Sequence, residues 1–113
     1  MTKTEKKLDN AIREVLMLAC QDILGLVDGF EWLTHQVNMK SVATTLMVSC
    51  IFDSQLSQSQ AVLGKMDKKM LQIIGAQLAY IGIHVKNRQY IRFDNEERCL
   101  AEHSGNWALR LAD

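Results

Sequence analysis

From Leu8 onward, apolar residues recur at three- and four-residue steps: Leu8, Ile12, Val15, Ala19, Ile23 and Val27. That is the period of an α-helix with one buried side. Thr2 and Glu5 can form a capping box at its start, and Asp28-Gly29 can end it. The pattern therefore predicts a helix over residues 2–27. Leu16, Met17, Leu18, Cys20, Leu24 and Leu26 widen the stripe beyond one face. A helix apolar most of the way round is either deeply buried or shared with a second chain. Leu16, Leu18 and Leu24 are accordingly candidate contacts of a homodimer.

Beyond this helix the period changes. Phe30 to Val37 is strand-like, Asn38 to Ser41 reads as a turn, and Val42 to Phe52 alternates cleanly, with Val42, Thr44, Leu46, Val48, Cys50 and Phe52 on one face. The short connection predicts an antiparallel hairpin. Residues 53–60 are polar and read as a loop or as the start of a short helix through Leu63. After Gly64, Asp67 can cap a helix to Ile81 with Met70, Leu71, Ile74, Leu78 and Ile81 inward. Gly82 stops it, and residues 83–93 read as a third strand. Asp94-Asn95-Glu96-Glu97 offers a second capping box, for a helix ending near His103. Trp107, Leu109 and Leu111 make an apolar tail. This order predicts an α+β domain: a small antiparallel or mixed three-stranded sheet with helices on one face. The other face, or the rim of the third strand, would be left for a partner.

Composition narrows the class. The chain has 113 residues, 48% of them apolar, which suits one domain spanning 1–113 whose core needs no metal or disulfide. Formal net charge is zero, but it is sorted along the chain. Residues 1–64 carry −2, residues 65–92 carry +5 and residues 93–113 carry −3. Cys20, Cys50 and Cys99 are odd in number and lack motif spacing, which points to free thiols in a reducing compartment. The charged opening segment is not a signal sequence, and no apolar run approaches the roughly 20 residues of a membrane span. The expectation is a cytoplasmic protein without a membrane partner.

The basic middle segment holds the clearest candidate chemistry. If residues 83–93 form one continuous strand, His84, Lys86, Arg88, Tyr90 and Arg92 share a face. Lys65, Lys68, Lys69, Lys86, Arg88 and Arg92 would then contact phosphates while Tyr90 stacks on a base. The competing reading is a solvated edge strand whose charges block aggregation. Cys99 and His103 stand four apart, but His35 and Cys50 would have to complete a metal site from far away, so no metal is expected. Cys20 and Cys50 fall on apolar stripes, and Cys99 neighbours Glu96, Glu97 and Glu102, which disfavours a thiolate. No phosphate-binding or nucleophile-elbow motif occurs. No catalytic residue and no cofactor are therefore expected.

Several segments carry a family resemblance: Met1 to Leu16, Gly29 to His35, Cys50 to Asp53, Arg92 to Glu97 and Glu102 to Trp107. In these the chain resembles small gammaproteobacterial proteins often labelled Fis-like transcriptional regulators. The label implies a helix-turn-helix whose second helix reads DNA. The segment that would hold it, Gln60 to Ile83, has its lysines at the start and no arginine. Gly75, Ala76, Gln77 and Ala79 stand where base contacts belong, so no functional residue is transferred. The leading expectation is a non-enzymatic binding or regulatory protein acting through a protein partner. The alternative is a nucleic-acid binder using residues 65–92.

Overall fold

In the computed structural model, which describes residues 2–86 and 89–112, Thr2 caps the first helix reciprocally. Its Oγ1 accepts the Glu5 amide at 3.1 Å while the Glu5 carboxylate accepts the Thr2 amide at 3.2 Å. Helix α1 (Lys3–Leu24) buries Ile12, Val15, Leu16, Ala19 and Ile23. Strand β1 (Phe30–Gln36) follows Gly29, whose φ of +82° turns the chain at a position where L side chains are strained.

The sequence predicts one strand over 42–52, and here the structure differs. Residues Val42–Thr45 form a single helical turn, α2, and strand β2 is confined to Met47–Phe52. Side chains decide the matter. Thr45 Oγ1 lies 2.6 Å from the Ser41 carbonyl oxygen and accepts the Asn38 amide at 3.0 Å, closing a local turn that competes with strand pairing. Helices α3 (Gln55–Leu63) and α4 (Met66–Tyr80) then cross over to strand β3 (Ile91–Asn95), followed by α5 (Glu96–His103) and α6 (Trp107–Leu111).

The expected third strand over 83–93 is also corrected. Gly82 at φ +81° redirects the chain after α4, and the Lys86 amide bonds to the Ala43 carbonyl of α2 at 2.9 Å rather than to a strand. Pairing with β2 begins only where Val48 N–H donates to the Tyr90 carbonyl at 2.7 Å. The sheet order is β1-β2-β3, with β1–β2 antiparallel and β2–β3 parallel. It is thus a mixed sheet in an α+β domain, and the α3–α4 crossover is what parallel pairing requires.

Register sorts the two faces. Leu33, Val48, Cys50, Phe52, Ile91 and Phe93 lie on one, packed with α1 and α4 in the main core. Trp32, Gln36, Ser49, Ile51, Arg92 and Asp94 lie on the other. That second face is not open, as the sequence led us to expect. α5 and α6 cover it, and Ser49 and Ile51 are as buried as the core. The central strand β2 is therefore enclosed on both sides, and five of its six residues are buried. No helix among the described residues is long and apolar enough to cross a membrane.

Gly75 sits inside α4 beneath the Tyr90 hydroxyl, 3.4 Å from where a Cβ would stand, an ordinary van der Waals contact. Gly75→Ala is expected to raise stability by about 0.5–1 kcal/mol through backbone entropy alone. A urea unfolding midpoint checks this. A lower midpoint would mean that the tyrosine cannot accommodate one methyl group.

Candidate functional site

The six described candidates of the basic segment, Lys65, Lys68, Lys69, Lys86, Tyr90 and Arg92, are spread over α4, the loop after it and the sheet. Lys65 takes a left-handed conformation just before α4, and Lys68 and Lys69 project from the first turns of that helix, all exposed. Lys86 is exposed in the loop after α4, and Arg88 lies outside the described residues. The half-buried Tyr90 packs over Gly75, and burial, then the nearby Cys50, pushes its phenol up. Arg92 lies across the sheet, donating from Nε to Ser49 Oγ at 2.8 Å and from Nη2 to Gln36 Oε1 at 2.9 Å. Among the described residues strand geometry begins only at Ile91, and Tyr90 and Arg92 make these contacts within the domain.

The covered sheet face carries most of the remaining polar chemistry. Glu96 Oε1 accepts both indole N–H groups, from Trp32 at 2.9 Å and Trp107 at 3.0 Å, with the rings edge to face 5.1 Å apart. Arg110 clasps Asp94 through two bonds of 2.5 and 2.9 Å, and its Nη1 reaches the Arg98 carbonyl and His103 Nδ1. Burial alone would raise the Asp94 carboxyl, yet the Arg110 guanidinium and the Asn95 amide hold it below its ordinary value. These groups satisfy one another, and among the described residues no buried side-chain nitrogen or oxygen lacks a partner. The cluster is a clasp for α6.

The thiols and imidazoles are dispersed. Cys99 is buried on α5, while Cys50, in the middle of β2, has its thiol pushed up to about 12 by burial and then by Cys20. Cys20 and His35 share a groove of about 300 Å³ between α1 and β1. Burial raises the Cys20 thiol, partly offset by the Leu33 amide. Burial and then Arg13 lower the His35 imidazole against the pull of Asp9. A raised thiol pKa works against a nucleophile. Among the described residues no three His, Cys, Asp or Glu side chains are placed to share a metal ion.

The exposed apolar surface lies elsewhere. α4 runs antiparallel to α1, its first turn near Val27 and its end near Val15. Between them opens a groove of about 380 Å³ lined by Ala11, Val15, Leu18 and Ile81, with Glu14, Gln77 and Tyr80 at its rim. Leu18 is 44% exposed and Tyr80 86% exposed. The homodimer candidates divide here. Leu18 and Leu24 face solvent, but Leu16 is 2% exposed and belongs to the core. The sequence reading overlooked Tyr80. Its signal was present, because an aromatic ring falls outside the Met70-Ile74-Leu78 stripe of an amphipathic helix.

Compared with known proteins, the chain matches no family model, no curated protein and no solved structure. α3, the Gly64-Lys65 corner and α4 are consecutive helices, as a helix-turn-helix would require. Past Lys68 and Lys69, however, α4 exposes Gln72, Ala76, Ala79 and Tyr80, a side with little to offer base edges.

Proposed function

We propose that the chain is a non-catalytic binding module that seats a helical segment of a protein partner in the α1–α4 groove. One observation carries the reading: large apolar side chains, Leu18 and Tyr80, stand exposed beside a groove whose floor is apolar. Exposed apolar surface of this kind is what helix-in-groove recognition uses. Only Glu14 and Gln77 add polar side chains apart from the Tyr80 hydroxyl, and no nucleophile–base pair lines the groove. Both facts favour a docking surface over a reaction site. The nucleic-acid alternative is weakened by the engagement of Tyr90 and Arg92 described above.

Selection of helical peptides from a display library tests the proposal. Binders are expected to carry apolar residues at three- and four-residue spacing. Leu18→Glu should weaken them by about 30-fold, the effect of losing a hot-spot anchor, with an unchanged far-ultraviolet spectrum. Absence of binders, or binders indifferent to Leu18→Glu, would overturn it.

A further inference from the structure

We propose that the outer edge of β1, with the groove between it and α1, takes up an extended segment of a partner protein as an added strand, one that carries an acidic residue for Arg13. This surface is separate from the α1–α4 groove and does not depend on it. Hydrogen-bond directions show which main-chain groups of β1 are open. Val48 N–H donates to the Tyr90 carbonyl, toward β3, whereas Asp53 N–H donates to the Gly29 carbonyl, toward β1. Successive residues of a strand alternate in this way, so Val48 and Cys50 both turn toward β3. They stand opposite His35 and Leu33. Those two residues are therefore the non-hydrogen-bonded positions of β1, and their N–H and C=O groups point out of the sheet. The Leu33 amide meets the Cys20 thiol. The Leu33 carbonyl and both groups of His35 are left for a new strand.

The opposite edge of the sheet is covered. There α3 lies alongside β3, and Gln58 Nε2 donates to the Phe93 carbonyl at 3.4 Å. Strand β1 holds neither the lysine nor the proline that commonly blunts an exposed edge. Its irregularity falls between Phe30 and Trp32, before the open positions. Beside it, Leu16 and Leu33 line the groove together with Met17, which is 55% exposed. Open main-chain groups select an extended backbone, and the apolar lining selects apolar side chains at alternate residues. Arg13 lines the same groove. Asp9 holds its Nε at 3.0 Å, which leaves both Nη groups for a carboxylate of the partner. A second copy paired antiparallel would bring its own α1 to the same face, where the two helices compete for one slot.

Selection from a library of linear heptapeptides, alternating apolar and polar residues and ending in Asp or in Lys, provides the test. Asp-ended binders are expected. Backbone N-methylation of the best binder at one alternate set of amides should abolish binding, while the other set tolerates it, because only one edge of the added strand faces β1. His35→Pro removes an outward donor without touching a bond to β2, a place where an edge strand accepts proline. It should keep its far-ultraviolet spectrum and bind roughly tenfold more weakly, whereas His35→Val should bind like the original. If His35→Pro does not fold, the methylation pattern decides alone. Arg13→Glu should reverse the preference to Lys-ended peptides. Leu18→Glu should change none of this, which separates the edge from the α1–α4 groove. Absence of binders at about 1 mM, or binders indifferent to methylation of either set, overturns the proposal. So does a dimer in sedimentation equilibrium whose His35 amide is protected from exchange, since a second copy would then hold the edge.

Discussion

Gly29→Ala is expected to destabilise the fold by roughly 2–5 kcal/mol, a large share of what holds a domain of this size together. Two effects add. The residue sits at φ +82°, where a Cβ is strained. An added Cβ would also stand 2.4 Å from both the Cβ and the Oγ of Ser57 and 3.2 Å from Asp53 Oδ1. The closeness is built in, because the Gly29 carbonyl accepts the Asp53 amide at 2.9 Å where β2 leaves the sheet for α3. Thermal unfolding followed by circular dichroism should show a midpoint lower by about 10 °C or more. Ser57→Ala should rescue it little, since it removes the Oγ contact but leaves the Ser57 Cβ contact at 2.4 Å. Ser57→Gly should recover part of the loss by removing the clash while leaving the φ strain. A cycle with no coupling between the two positions would disprove the steric account.

Asp94→Asn is expected to free α6 at a cost of about 2–3 kcal/mol, near the lower end for breaking a covered ion pair. The Arg110 side chain is 10% exposed, and without Asp94 its nearest carboxylate is Glu102 at 3.6 Å. The loss should be local. Hydrogen exchange at residues 107–111 should accelerate while the amides of β2 keep their protection. Equal acceleration throughout would show that α6 and the core unfold as one unit. The pH dependence has a fixed sign. Because the folded-state value of Asp94 is depressed, its contribution is present above the unfolded value of about 3.9 and is lost as acid carries the pH down through the folded value. The difference in stability between the original chain and Asp94→Asn should be flat from about pH 5 to 8 and shrink below about pH 4.

Local rules written in neighbouring residues were legible before the structure. The α1 capping box, the stripe from Ile12 to Ile23 and the inward Met70, Ile74 and Leu78 of α4 all stand as read. Where side chains bonded to distant or competing backbone groups, the pattern misled. Thr45 turned an alternating run into a helical turn. The α5 cap fell on Asn95, whose Oδ1 accepts the Arg98 amide at 2.8 Å, because Asp94 was taken by Arg110 sixteen residues on. No local periodicity carries that information. The expected register of the basic segment misled for the same reason: it depended on a strand that starts only at Ile91, where β2 supplies a partner. In the groove, Leu18 was legible as an apolar residue too many on α1. Tyr80 was legible as an aromatic outside the inward stripe of α4, but its place beside Leu18 was not, since only the packing of α4 against α1 sets it.

The carboxylate shared by two indoles also has an optical consequence. The chain has two tryptophans, Trp32 and Trp107, and both donate to the same Glu96 oxygen at the seam between the sheet and α6. Its intrinsic emission is therefore the signal of one small region, blind to the α1–α4 layer. A melt followed by tryptophan fluorescence times the departure of the C-terminal helix, and one followed in the far ultraviolet times the loss of the long helices. The interval between the two curves measures how far the last turns of the chain can let go while the rest stays folded.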